Sequence, residues 1–261
     1  MKAYWHLSVA IPLRPKVCFH GASPSASTHR ICTVYETSAY LAIIAANGRH
    51  HALPILTYLI FEFDRIKPPN TYLDAASRPL KKTANSDAVL AYLLEILSSN
   101  HPSQSEFLSA FQEARSNQRI SAAAEVFLQH LATALRRIDT VLLRRLLRPR
   151  LSAVDPPFDT GSHPANPNSL IGDVFKVLLD RIRLQARNSV WLCIRTAYRE
   201  LSVNASGEWL VQSLLLEDAA PDAVASANRW LQARAESGEA QETSLDGERI
   251  PGRWSFRRPS N

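Results

Sequence analysis

Residues 170–201 read LIGDVFKVLLDRIRLQARNSVWLCIRTAYREL, a run without proline and with its single glycine at position 172. Phe175, Leu178, Leu179, Ile182, Ala186, Val190, Cys193 and Ala197 recur at three- and four-residue steps, the seam of one long helix. In that seam Cys193 reads as a small buried hydrophobe rather than a nucleophile, with Trp191 and Tyr198 one face over. After it come SGEWLVQSLLLE (206–217), APDAVASANRWLQARA (220–235) and ERIPGRWSFRRP (248–259). The order is long helix, loop, short helix, helix, compact aromatic-basic tail. It predicts a helical repeat closed by a winged-helix-like cap spanning residues 170–258. Trp191, Tyr198, Trp209, Trp230 and Trp254 are expected to form the body of that cap. Trp209 is expected as the first core anchor of its helix.

Working outward, the preceding chain is punctuated as short helices. Ser38 is placed to cap one that ends at Asn47-Gly48. Pro54 suits the first turn of another running to about Phe63. Asp87 precedes Ala88–Leu97. Ser103 with Glu106 has the spacing of a capping box for Phe107–Ala114. Ser121 opens Ala122–His130, with continuation through Arg148. No strand-like alternation rises above this background before residue 240. Paired helices joined by polar turns predict an all-α fold of α-solenoid type over residues 36–148. Residues 149–169, PRLSAVDPPFDTGSHPANPNS, hold five prolines and read as a linker or an inserted loop. Residues 1–35 read as a leader or tail.

Charge narrows the choice of partner. The formal net charge is +6. Residues 1–150 carry 18 basic and 10 acidic side chains, against 12 and 14 in residues 151–261. An excess of this kind suits an acidic partner, either nucleic acid or an anionic protein surface. On a helix continued through Arg148, Leu131, Leu135, Ile138, Leu142, Leu143 and Leu146 share one arc. Arg137, Arg144 and Arg148 stack within about 40° on another face, with Arg145 beside them. No acidic residue stands four positions away to quench them. In the tail, Trp254 and Phe256 alternate as a half-buried strand would place them. Arg253, Arg257 and Arg258 are then outward cations of a wing at 249–258, read as a strand pair with a glycine turn. Partner or nucleic-acid contact is therefore expected at Arg137, Arg144, Arg145, Arg148, Arg253, Arg257 and Arg258.

Other classes of function find little support. Three cysteines, Cys18, Cys32 and Cys193, argue against a disulfide framework. Cys18, His20, His29 and Cys32 form a C-x-H-x8-H-x2-C string without a recognised zinc spacing, so no metal and no cofactor are expected. No apolar run reaches the ~18–20 residues of a membrane span, and no membrane partner is expected. No G-x-S-x-G, Walker or H-E-x-x-H spacing accompanies His50, His51 or His101. Nothing marks a catalytic residue. The stretch before Glu36 lacks acid and contains Lys2, Arg14, Lys16 and Arg30, the composition of a transit peptide.

RIRLQARNSVWLCIRTAYREL (181–201), GEWLVQSLLLE (207–217) and a helix carrying RWLQA (229–233) together resemble the C-terminal half of the Sac-three/GANP family. These are the PCI-type helical proteins of mRNA export. The matching positions are Arg187, Ile194, Ala197, Tyr198, Trp209, Leu214, Leu216 and Glu217. The resemblance covers about residues 85–256 and departs from the family at the proline-rich 149–169 segment and the N-terminus. It implies a non-enzymatic, PCI-like scaffold of the nucleus that docks protein subunits of an mRNA-export or related complex and helps contact RNA. The alternative is an organellar, mitochondrial RNA-associated helical protein, processed near residues 28–35.

Overall fold

The computed structural model describes residues 24–45, 51–62, 86–147, 170–216, 222–245 and 248–258. The described chain is mostly helical, with one small sheet. Helices α1 (Pro24–Ile44) and α2 (Leu53–Thr57) come first, the latter passing into a π-helical turn at Tyr58–Glu62. Then follow α3 (Ser86–Ser99), α4 (Ser105–Ser116), α5 (Ala122–Arg137), α6 (Thr140–Leu147) and α7 (Leu170–Ala197). The C-terminal part is β1 (Glu200–Ser202), α8 (Val203–Ser213), α9 (Ala223–Glu236), β2 (Ala240–Leu245) and β3 (Glu248–Phe256).

The first core is built around α3, in which every residue from Ala88 to Ser98 is buried. An almost wholly apolar helix belongs in the middle of a stack, not at its surface. Its one buried charge, Glu95, is 1% exposed and meets Arg181 of α7 at 3.1 Å; Asp87, in the first turn, lies outside the buried run. Arg181 also donates to the Ile43 carbonyl at the end of α1, so one guanidinium joins three helices.

Helix α7 belongs to two cores, and its sequence explains how. Val174, Leu178, Ile182, Ala186, Val190 and Ile194 are all buried at strict four-residue steps. Each such step advances the stripe by about 40°, so it winds through roughly 200° along the helix. Val174 to Ala186 pack with α1, α3, α5 and α6. Val190, Trp191 and Ile194 pack instead with β1, α8, α9 and β3. The winding also corrects the predicted seam: Cys193 and Ala197 are exposed, because the stripe has turned away from them.

The second core holds an element order of helix, strand, helix, helix, strand, strand. The sheet order is β1-β3-β2 and both pairings are antiparallel. Leu201 lies opposite Trp254, and Ala240 opposite Phe256. Gly207 allows α8 to approach α9 closely. A Cβ there would lie 3.2 Å from Val224 Cγ2 and 3.3 Å from Val224 Cα.

Several local expectations are corrected. The described chain contains one strand before residue 240, β1, which follows two residues after α7. Residues 248–256 form one strand, paired on both sides, rather than two strands around a glycine turn; the reversal falls between Leu245 and Glu248. Three residues of β2, Glu242 to Ser244, lie opposite six of β3, Trp254 back to Arg249. Pro251 and Gly252 (φ +76°) take up this excess as a bulge, where a missing N–H and a left-handed backbone are tolerated. Helix α1 begins at Pro24, inside the predicted leader. Thr37 and Ser38 do not cap it; their hydroxyls donate back to the Thr33 and Val34 carbonyls at 2.8 and 2.9 Å. The capping box before α4 is not formed. Gln104 is the N-cap residue, and Ser103 hydrogen-bonds Ser105 instead. Ser121 does cap α5, accepting from the Ala124 N–H.

The most consequential correction lies after α5. The expected helix through Arg148 stops at Ile138, which adopts a left-handed backbone (φ +54°). Asp139 then accepts from the Leu142 N–H at 3.0 Å and starts α6 afresh. Aspartate competes for backbone donors in this way at helix starts. The apolar arc still faces inward, with Leu131, Leu135 and Leu143 buried and Ile138, Leu142 and Leu146 half-buried.

Candidate functional site

Because the helix breaks at Ile138, the predicted arginine stripe is divided between two helices. Arg137 is the last residue of α5 and is exposed; Arg144 is half-buried and Arg145 exposed on α6. Arg148 lies outside the described residues. Arg136, not among the expected contact residues, is exposed beside Arg137. Among the described residues none of these four helical arginines has an acidic partner. Part of their placement is structural, since cations in a last turn complement the helix dipole.

The tail arginines differ among themselves. Arg253 does not stand free: its Nε and a terminal nitrogen reach Glu200 Oε2 at 3.1 and 2.9 Å across the β1–β3 pair. Arg257 and Arg258 are exposed. The main chain of Arg257 is used internally, its N–H donating to the Glu239 carbonyl and its carbonyl accepting from Arg195. The expected alternation holds, with Trp254 and Phe256 buried and Arg253 and Arg257 outward.

The five aromatic cap residues divide into two groups. Trp191 is buried and meets Trp230 edge-on at 4.7 Å and Phe256 at 5.2 Å. Its indole N–H donates to Glu239 at 2.9 Å. The other oxygen of Glu239 accepts from Arg195 at 2.9 Å, and Arg234 reaches the first at 3.3 Å while lying over the Trp230 ring. This node ties α7 to α9 and the strand that follows, and single residue types gave no sign of it. Trp254 is also buried, donating to Asn228 at 3.0 Å.

Tyr198 and Trp209 are not core residues. They are 46% and 43% exposed and meet each other at 5.8 Å, tilted by 65°. Helix α8 buries Val203, Gly207, Leu210 and, one position beyond its end, Leu214. Trp209 stands about 200° from Gly207, on the opposite face. The C-terminus of α8 is held from α7, where Arg187 donates to the Leu214 and Leu215 carbonyls at 2.8 and 3.0 Å. Leu214 enters the second core and Leu215 (φ +55°) the first.

Helices α6 and α8 pack side by side, and Ile138, just before α6, packs against the second core. Val141 on α6 is 80% exposed, an aliphatic side chain set among arginines. Val141 falls outside the apolar arc of the sequence, on the arginine side, and that angular position is the signal for an outward apolar residue.

Among the described residues, chemistry of the catalytic kind has one candidate pair. His101 Nε2 lies 2.9 Å from Ser189 Oγ. The other ring nitrogen is buried and unpartnered, so no carboxylate orients the imidazole as a triad requires. Burial lowers the His101 pKa. Among the described residues no group of three or more His, Cys, Asp or Glu side chains is placed to hold a metal. Cys18 and His20 lie outside the described residues, and side chains in α1 are described only from Thr33 onward. No described helix is long and apolar enough to cross a membrane. No family model matches the chain, and neither the curated proteins nor the solved structures yield a match.

Proposed function

We propose that this chain is a non-enzymatic scaffold of the Sac-three/GANP kind, a PCI-like stack of helices closed by a winged-helix-like cap. It docks protein partners in nuclear mRNA export or processing, with RNA as a second ligand. The observation that carries this reading is the C-terminal element order with its β1-β3-β2 sheet, launched from a helix whose first half belongs to the stacked helices. That order is the one a winged helix uses. A shared long helix is a rigid way to fix such a cap on a stack. The arginines of α5 and α6 without described counter-charges support an acidic partner. The neutralised Arg253 and the few cations on α9 favour protein over nucleic acid as the partner of the cap.

The mitochondrial alternative places cleavage near residues 28–35, inside α1, whose later residues Ala39, Tyr40 and Ile43 are buried in the first core. Mass spectrometry of the native N-terminus, with imaging of the tagged chain, separates the two. The scaffold reading expects nuclear chain with α1 intact. Cleaved mitochondrial chain would overturn it.

A further inference from the structure

Two exposed features, one on α6 and one joining the end of α7 to α8, remain unused by the fold. One is a solvent-exposed tyrosine–tryptophan pair, Tyr198 with Trp209. The other is Val141, 80% exposed, on a helix that also carries Arg144 and Arg145 and follows Arg137. The two helices are neighbours. Trp, Tyr and Arg are the residues that dominate binding energy at protein interfaces. A single exposed valine is ordinary by itself; it gains meaning here from the arginines on its own helix and the exposed aromatic pair beside the neighbouring one.

We propose that the α6–α8 corner is a docking surface for an acidic amphipathic segment of a protein partner. The proposal rests on the scaffold reading above and names the surface and the chemistry of its occupant. Charge complementarity selects an acidic segment, because Arg137, Arg144 and Arg145 have no described acidic partner and a guanidinium fork matches a carboxylate. Apolar complementarity selects protein over RNA. Val141 offers a surface for aliphatic packing and nothing for a base to stack on. The 65° tilt of Tyr198 against Trp209 leaves no two parallel ring faces for successive bases. An amphipathic helix can lay its apolar residues on Val141 and Trp209 and its glutamates on the arginines.

The test uses the full chain and a fluorescein-labelled synthetic helix of Glu with Leu and Phe at three- and four-residue steps, read by anisotropy. A second helix carries Lys in place of Glu, and labelled oligouridine is the nucleic-acid probe. The acidic helix is expected to bind, and Trp209→Ala to weaken it by ~30-fold, the loss of one interface anchor. Arg144→Glu with Arg145→Glu should abolish that binding and confer binding of the Lys helix. Arg229→Glu, on the exposed face of α9, should leave it unchanged. Equal losses in Arg229→Glu and the α6 pair would mean diffuse attraction and overturn the proposal. So would oligouridine binding that these variants abolish in place of peptide binding. Should the chain run in a stoichiometric protein assembly while peptide binding ignores Trp209 and the arginine pair, the scaffold reading survives and this surface does not.

Discussion

Replacing Arg181 with methionine should destabilise the helical stack more than any surface charge change. Glu95 sits 1% exposed in the middle of a helix whose neighbours are nearly all apolar. Its carboxylate has two described partners, Arg181 at 3.1 Å and the Ser99 hydroxyl at 2.9 Å. Arg181→Met leaves one hydroxyl to solvate a buried charge and frees the Ile43 carbonyl as well. Removing one member of a buried ion pair costs about 3–5 kcal/mol. Because the Arg181 side chain is 26% exposed, water reaches part of the pair and the lower end, about 3 kcal/mol, applies. That is a large share of the ~5–15 kcal/mol of a whole domain. Replacing Glu95 by leucine in the same chain removes the stranded charge and should recover about 2 kcal/mol of the loss. Urea denaturation followed by far-ultraviolet circular dichroism gives all four corners of the cycle. If Arg181→Met costs under about 1 kcal/mol, or the double variant is no better than the single, the carboxylate is solvated and the reasoning fails.

Trp209→Ala should cost under about 1 kcal/mol, whereas Trp191→Ala, buried against Trp230 and Phe256, should cost about 3–5 kcal/mol. The same denaturation series checks both. Gly252→Ala should cost about 1–3 kcal/mol, since a Cβ would combine a left-handed backbone with a 3.0 Å contact to Asn204 Oδ1. His101 has a folded pKa below its ordinary 6.5, so the unfolded chain binds the extra proton. Its contribution is therefore complete above about pH 6.5 and is lost as pH falls through that value toward the folded pKa. His101→Gln should flatten the change in urea midpoint between about pH 7 and about pH 5. Four of the five tryptophans lie between residues 191 and 254, so indole fluorescence reports the second core and circular dichroism the whole. With α7 shared by both cores, the two transitions should coincide; separate midpoints would show that the cores unfold independently.

The helical character was legible because apolar spacing and some caps are local signals: Ser121 caps α5, and Leu131, Leu135 and Leu143 are buried where the sequence places them. The break at Ile138 was not, because leucine spacing continues across it and only Asp139 hints at a new start. Trp209 was misjudged because size suggests burial, yet the angular position set by Gly207 and Leu210 decides. Strand β1 is three residues long and owes its pairing to β3, more than fifty residues later, so no local periodicity could reveal it. The arginines of the tail looked equivalent in sequence; only the β1–β3 register brings Glu200 to Arg253. The element order of the cap was readable in outline, since long helix, helix, helix and tail each carry their own punctuation.

Native mass spectrometry of the chain isolated gently from its source cells tests the scaffold claim most directly. The account predicts an assembly of defined stoichiometry with other protein subunits, stable to ribonuclease and weakened by Arg144→Glu with Arg145→Glu. The chain running alone as a monomer, or an assembly that ribonuclease dissolves, would contradict it.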